Sequence, residues 1–404
     1  MTSPPGWGRG VVVDRSGGRP WMTAAGDSII PLDEWDLTIV VDERPANVPD
    51  PVNVLEIGDF TAESIRSAIR QLAAAGPIDR VSTTSEHFLE VVAAAREEHG
   101  IEGNGVQYTA RLRDKWLMKQ TAVDHRIRTV AGTRGDQLEP FLSQVPSPEG
   151  YVLKPRDESG AVGVHMVPDA AALQRVVGDL AHPSDYIVEA RSPHPLVHVD
   201  VLVCDGHPSY QVSQYERPCH VSGGSVPLSS YTVDDPALLA DVDSALHQIV
   251  HAWHVDNDVL HIEFFADPAG VVLLELAGRP GAAGVSQVFA DTRGLDLLHA
   301  KTRLDFGIDP TPFATTPAAR HGGWTVIYAP TTAPAVVDDH ALHGHATRAV
   351  LDVTARRVNG VAGVGIATYT FRGGTVTAVR ELIHTYESQV QVRPLKHPEI
   401  GPTS

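Results

Sequence analysis

The stretch HIEFFADPAGVVLLELAGRP, residues 261–280, sets Glu263 and Glu275 in runs that are otherwise largely apolar. Its centre, Ala266-Asp267-Pro268-Ala269-Gly270, reads as a tight turn, so the flanking runs form a β-hairpin. Glu263 lies four residues before Asp267 and Glu275 five after Gly270, which makes them near cross-strand partners. Alternation puts Ile262 and Phe264 on one face and Glu263 and Phe265 on the other. The second run, Val271 to Leu276, is nearly all apolar, as in strands covered on both faces. A single glutamate in such a run often points to solvent. Two facing carboxylates without a cation repel each other. A Mg²⁺ ion, which prefers oxygen ligands, would remove that repulsion. The hairpin alone leaves both the solvated-face and the metal-binding readings open.

The rest of the chain narrows the choice. Its 404 residues are too many for one ordinary core and suit two or three domains. The formal charge of −18 argues against wholesale nucleic-acid binding but allows a local basic site for a phosphate. Cys204 and Cys219 offer at most one bridge and no zinc cluster, and are expected as reduced thiols in a cytoplasmic protein. No apolar run approaches 18 residues and no charged-then-apolar leader is evident, so neither a membrane span nor a signal peptide is expected. The 20 histidines are scattered without ligand spacing and read as surface or core residues.

Strand and helix patterns alternate from residue 37 to residue 100. LTIVVDE, PVNVLEIGDF and IDRVSTTSE read as strands. TAESIRSAIRQLAAAG reads as an amphipathic helix with Thr61 as N-cap, and HFLEVVAAAREEHG as a second helix stopped by Gly100. That order predicts a parallel α/β layer, and the absence of GxGxxG means it does not announce a dinucleotide site. A helical pattern follows at RLRDKWLMKQTAVDH. Strands are expected at IRTVAG, YVLKPRD, VGVHMV, DYIVEAR and VHVDVLVCDG. DAAALQRVVGDLA, DPALLADVDSALHQIVHAWH and GLDLLHAKTRLDFG are helical patterns. Thr and Pro dominate residues 310–317, a linker signature, and the tail carries short β-like runs.

A second informative stretch is YVLKPRDESGAVGVHMV, residues 151–167. Lys154 ends an apolar strand and is followed by a loop containing Ser159, Gly160 and Gly163. Small residues let backbone N–H groups approach an anion, and lysine supplies a point charge. This is not a Walker A loop. Alone it reads equally as a glycine-containing hairpin with a surface lysine, and Arg113-Asp114-Lys115 alone reads as a solvated helix face.

The order of these pieces is more specific than any one of them. An upstream RDK, a Lys-Pro strand with a small-residue loop, YIVEAR, then Glu–turn–Glu-x-x-x-Arg resembles the ATP-grasp superfamily over roughly residues 35–310. Its carboxylate–amine ligases, including amino-acid ligases, are the nearest match in pattern. The resemblance implies an N-terminal α/β domain (1–110), a lid subdomain (111–190), a metal- and substrate-binding subdomain (191–309) and a small C-terminal α+β module (319–404). It implies that Lys115 and Lys154 contact ATP, that the loop Glu158 to Val164 closes over its phosphates, and that Val188, Glu189 and Ala190 form the adenine hinge. Glu263 and Glu275 become ligands of Mg²⁺, with Mn²⁺ as the alternative ion. Arg279 holds an acyl phosphate or the adduct that follows it. Arg279 and Lys154 are the catalytic candidates.

Two positions depart from the family pattern. Many relatives place Asn two residues after the second acid, where this chain has Ala277. Many also hold the ATP ribose with a glutamate ahead of VHVDVLV, where this chain has Pro195 and Leu196. His198, Asp200 and Glu189 are the substitutes within reach, though Asp200 also reads as a strand residue facing solvent. The implied activity is an ATP-dependent ligation of a small-molecule carboxylate and an amine through an acyl phosphate, with no membrane or nucleic-acid partner and a homodimer allowed. No general base is evident. Arg217 and His220, in YERPCHVSGGSVPLSS, are candidates for meeting a substrate carboxylate. A carboxylase subunit of the biotin type and a non-catalytic ATP-binding protein are the competing readings.

Overall fold

The computed structural model describes residues 6–219, 226–329, 335–338, 347–350 and 364–394. The N-terminal layer is a four-stranded parallel sheet in the order Asn53–Glu56, Trp35–Val41, Gly8–Val13, Arg80–Thr83. The short run Val11-Val12-Val13 is thus an inner strand, buried on both sides. Helix Ala62–Ala74 buries Ile65, Ala68 and Ile69 against it. Thr61 caps that helix in a reciprocal box with Ser64, which satisfies backbone donors left open by the first turn. Helix Leu89–His99 ends at Gly100, whose φ of 65° is a left-handed conformation that glycine adopts without strain.

The RDK segment does not continue one helix. Helix Val106–Arg111 stops, and Asp114 caps a new helix, Lys115–Asp124, by accepting from the N–H of Trp116 at 2.8 Å. The Lys115 N–H donates to the Arg156 carbonyl at 2.9 Å. The chain break therefore pins Lys115 beside the Lys-Pro strand, as an unbroken helix could not.

A second sheet is fully antiparallel, in the order Gly132–Arg134, Tyr186–Ala190, Tyr151–Pro155, His165–Val167. Leu153, Leu173 and Val188 form its core. Of the strand expected at IRTVAG only Gly132 joins this sheet, in Gly132–Arg134, because the residues before it meet another sheet: Val130 N–H donates to the Leu273 carbonyl at 3.2 Å.

The third sheet has eight strands, in the order Gly270–Ala277, Asp258–Asp267, Leu196–Cys204, His207–Tyr215, Leu228–Thr232, His321–Ala329, Val364–Gly373, Thr347–Val350. It carries the hairpin of residues 258–277 at one edge, and runs without interruption into strands of the tail. The Thr–Pro stretch 310–317 connects elements of one sheet. Helix Pro236–Trp253 covers the far face with Val242, Leu246 and Ile249. Together the parallel and antiparallel layers make a tripartite α/β and α+β architecture. Among the described residues no helix is long and apolar enough to cross a membrane.

Candidate active site

A cavity of about 940 Å³ opens between the antiparallel sheet and the face of the eight-stranded sheet. Lys115, Lys154, Ser159, Gly160, Glu189, Ala190, Glu263, Glu275 and Arg279 all border it. Gly163 and Val188 stand back from it. Val188 packs in the core of the antiparallel sheet, and Gly163 closes against the Pro155 ring.

Glu263 and Glu275 are directly opposite across the hairpin. The register slips by one residue immediately after Glu263, and this bulge lets both Leu274 and Glu275 reach the cavity. The Tyr215 hydroxyl donates to Glu263 Oε1 at 2.9 Å. Burial disfavours the charged form of Glu263, but the neighbouring His261 ring and the Tyr215 hydroxyl outweigh it and hold the carboxyl below its usual range. The Glu275 side chain is about one-third exposed, with Lys154 Nζ at 3.7 Å and Lys115 Nζ at 3.8 Å. Two facing carboxylates on a rigid sheet edge, open to the cavity and with two ammonium groups within 4 Å of Glu275, suit a hard divalent cation and an anionic ligand beside it.

Two lysines share Glu189. Lys154 Nζ lies 2.9 Å from Oε2, and Lys119 Nζ lies 2.9 Å from Oε1 and 2.6 Å from the Val130 carbonyl. Glu189 is 2% exposed. Burial alone would raise its pKa, but the two ammonium groups bring it down to about 2. This carboxylate is therefore paired with the two lysines. The Ala190 N–H donates to the Ala131 carbonyl at 2.9 Å. Lys119 sits one helical turn after Lys115, a spacing visible in the sequence but not weighted there.

Arg279 is held from outside its own sheet. Its Nε donates to Glu86 Oε2 at 2.8 Å, and Arg113 Nη1 donates to Glu86 Oε1 at 2.7 Å. Glu86 follows the last strand of the N-terminal layer, so one carboxylate ties that layer to two cavity arginines. Burial opposes its ionisation, yet Arg279 and Arg113 lower its pKa from 4.5 to about 2. A depressed carboxyl stabilises the fold above its unfolded value and loses that contribution as pH falls. Acidification from pH 4.5 to about 2 should therefore cost the native protein about 3 kcal/mol at this group. Glu86→Gln should remove that part of the pH slope, read from urea unfolding at several acidic pH values. An unchanged slope would discard the assignment.

The histidine expectation needs correcting. His198, Asp200 and His261 have ligand atoms within 4.8 Å of one another. Asp200 is not a solvent-facing strand residue: it is 2% exposed and accepts from His198 Nδ1 at 2.7 Å and His261 Nδ1 at 2.6 Å. His198 Nε2 meets Ser230 Oγ at 2.7 Å. Burial disfavours charge on His261, but Asp200 outweighs it and raises the ring to about 9. The alternation His-x-Asp and His-x-Glu on neighbouring strands was the available signal, and only the strand register unites it. His198 and Asp200 lie behind the cavity wall, so neither serves as a ribose ligand.

On the substrate side Arg217 is already paired with Glu387, Nη1 to Oε1 at 2.9 Å, and His220 lies outside the described residues. The wall there is apolar and aromatic: Tyr215, Leu228, Trp324, Val326 and Tyr328. Cys204 and Cys219 are both free thiols.

This fold has the tripartite ATP-grasp architecture and is shared with solved carboxylate–amine ligases and carboxylases. An L-amino acid ligase from Bacillus licheniformis superposes with a TM-score of 0.74 at 14% identity, covering 96% of this chain and 99% of that one. The biotin carboxylase domain of a Hydrogenobacter thermophilus 2-oxoglutarate carboxylase gives 0.72 at 14% identity, covering 96% and 91%. A phosphoribosylglycinamide synthetase from Anaerococcus prevotii gives 0.69 at 12% identity, covering 96% and 99%. In sequence, the alanine–anticapsin ligase of Bacillus subtilis is 22% identical over 276 residues, which is 62% of this chain and 56% of that protein. The match thus spans about half the length of that relative. No family model matches the chain.

Proposed function

We propose that this protein is an ATP-dependent carboxylate–amine ligase that forms an amide or peptide bond and releases ADP and phosphate. The observation that carries the proposal is the cross-strand pair Glu263 and Glu275, open to a cavity that also collects Lys115, Lys154 and Arg279. Bound Mg-ATP would supply the phosphoryl group that activates the carboxylate. The residues' tasks follow from charge and position. Glu263 and Glu275 hold the cation. Lys154, fixed by Glu189, and Lys115 offset phosphate charge beside Glu275. The loop Glu158 to Val164 offers backbone N–H groups beside them. Arg279, held rigid by Glu86, is a donor preorganised for negative charge that develops during reaction, and such donors act mainly on turnover. The aromatic wall suits an amino-acid-like substrate with an apolar group.

Nucleotide chromatography with Mg-ATP, pooled amino acids, small acids and amines tests this reading. ADP and phosphate formed only when acid and amine are both present is the expected result; AMP and pyrophosphate would refute it. The likeness to a biotin carboxylase domain favours a second reading, bicarbonate-dependent ATP hydrolysis, which a bicarbonate arm of the same assay detects. Arg279→Ala should lower kcat by about 100-fold or more while changing ATP affinity little. A selective loss of ATP binding would move Arg279 to the nucleotide side.

A further inference from the structure

We infer that His261 is a third ligand of the cation held by Glu263 and Glu275, and that this nitrogen donor makes the site prefer Mn²⁺ to Mg²⁺. The inference rests on the reading of those two glutamates as cation ligands.

The strand register carries the argument. His261 and Glu263 are two residues apart on one strand and so share a face. Across the hairpin His261 faces Ala277, and Glu263 faces Glu275. The methyl group of Ala277 offers no donor and leaves the space between the strands to the imidazole. His261 and both glutamates line the cavity. His261 Nε2 stands 3.8 Å from Glu263 Oε1, too far for a hydrogen bond. Two donors on one octahedral ion with bonds near 2.1 Å lie about 3.0 Å apart in cis and about 4.2 Å apart in trans, so the observed 3.8 Å spacing is within reach of a shared ion.

The far side of the ring is also arranged for ligation. A metal-bound histidine commonly donates its other N–H to a carboxylate, which fixes tautomer and orientation. Asp200 takes that role at His261 Nδ1, 2.6 Å away, and it sits directly across from His261 on the adjoining strand. Asp200 is held in turn by His198, and His198 by Ser230. That chain joins three buried polar side chains, Asp200, His198 and Ser230, behind the cavity wall. The His198–Asp200–His261 group is not itself a metal site, because both Nδ1 atoms are already spent on Asp200. A cation at Nε2 would replace the proton there, which passes to solvent, while Nδ1 keeps its proton and donates it to Asp200. Oxygen-only sets suit Mg²⁺, whereas an imidazole nitrogen raises affinity for borderline ions such as Mn²⁺.

The test is pulsed EPR of the full chain with Mn²⁺ and ADP, prepared with natural-abundance and with ¹⁵N-histidine. A nitrogen coupling that changes isotope with the histidine label is the expected result; adenine nitrogens do not change. Mn²⁺ bound without such coupling overturns the inference and leaves the carboxylate site standing. Mn²⁺ that stays free overturns both. His261→Ala should abolish the coupling and weaken Mn²⁺ by about 10-fold or more, with Mg²⁺ altered far less. If that variant does not fold, Asp200→Asn, which changes only the partner of Nδ1, should still shift the coupling; an unshifted coupling would assign it to another histidine.

Discussion

Glu275→Ala is expected to reduce ATP turnover by about 1000-fold or more, with Glu263→Ala close to it. The reason is positional. The two carboxylates are paired across a sheet edge, and among the described residues no other acid of this hairpin lines the cavity. Stability should respond differently at the two sites. The Glu275 side chain is about one-third exposed, and its lysine neighbours are 3.7 and 3.8 Å away, so its loss should leave the fold near normal. Glu263 is more enclosed and accepts from Tyr215, so its removal leaves a buried hydroxyl unpaired at a cost of about 1–3 kcal/mol. Steady-state ADP release, with melting curves as the folding control, reads both effects. Unchanged turnover in either variant would end the metal assignment.

Glu189→Gln is expected to destabilise the protein by about 3–5 kcal/mol. Lys119 and Lys154 are both almost fully buried and both lean on this carboxylate. Gln is nearly isosteric, so packing barely changes while two buried ammonium groups lose their counter-charge. The imbalance falls chiefly on Lys119, which is also bonded to the Val130 carbonyl, because Lys154 borders the cavity and keeps Glu275 at 3.7 Å. Denaturant midpoints at neutral pH measure the effect. Adding Lys119→Met to Glu189→Gln should recover part of the loss, since one uncompensated charge is then gone. A midpoint shift worth less than about 0.5 kcal/mol would mean that water already reaches the cluster.

The sequence by itself determined the elements and the short-range chemistry. The turn Asp267-Pro268-Ala269-Gly270 imposed the hairpin, and counting outward from it paired Glu263 with Glu275. Thr61 and Gly100 marked helix ends because capping is a local property of backbone donors and of left-handed φ. The order of RDK, Lys-Pro, YIVEAR and Glu–turn–Glu was enough to indicate the ATP-grasp architecture.

Only the tertiary structure decided which charges meet. Glu86 is 193 residues from Arg279, and its grip on that arginine follows from how the N-terminal layer docks. Asp200 looked like a solvent-facing strand residue until the strand beside it proved to carry His261. Lys115 read, with Arg113 and Asp114, as a solvated helix face until the helix proved to begin there, beside the Lys-Pro strand. The tail read as a small closing module, and its strands His321–Ala329, Thr347–Val350 and Val364–Gly373 share a sheet with the hairpin. Periodicity reports which face of an element is apolar, but not which element lies across from it. Buried ion pairs and histidine chains are set by that second, non-local fact, because burying a charge is tolerated only where a distant partner arrives to meet it.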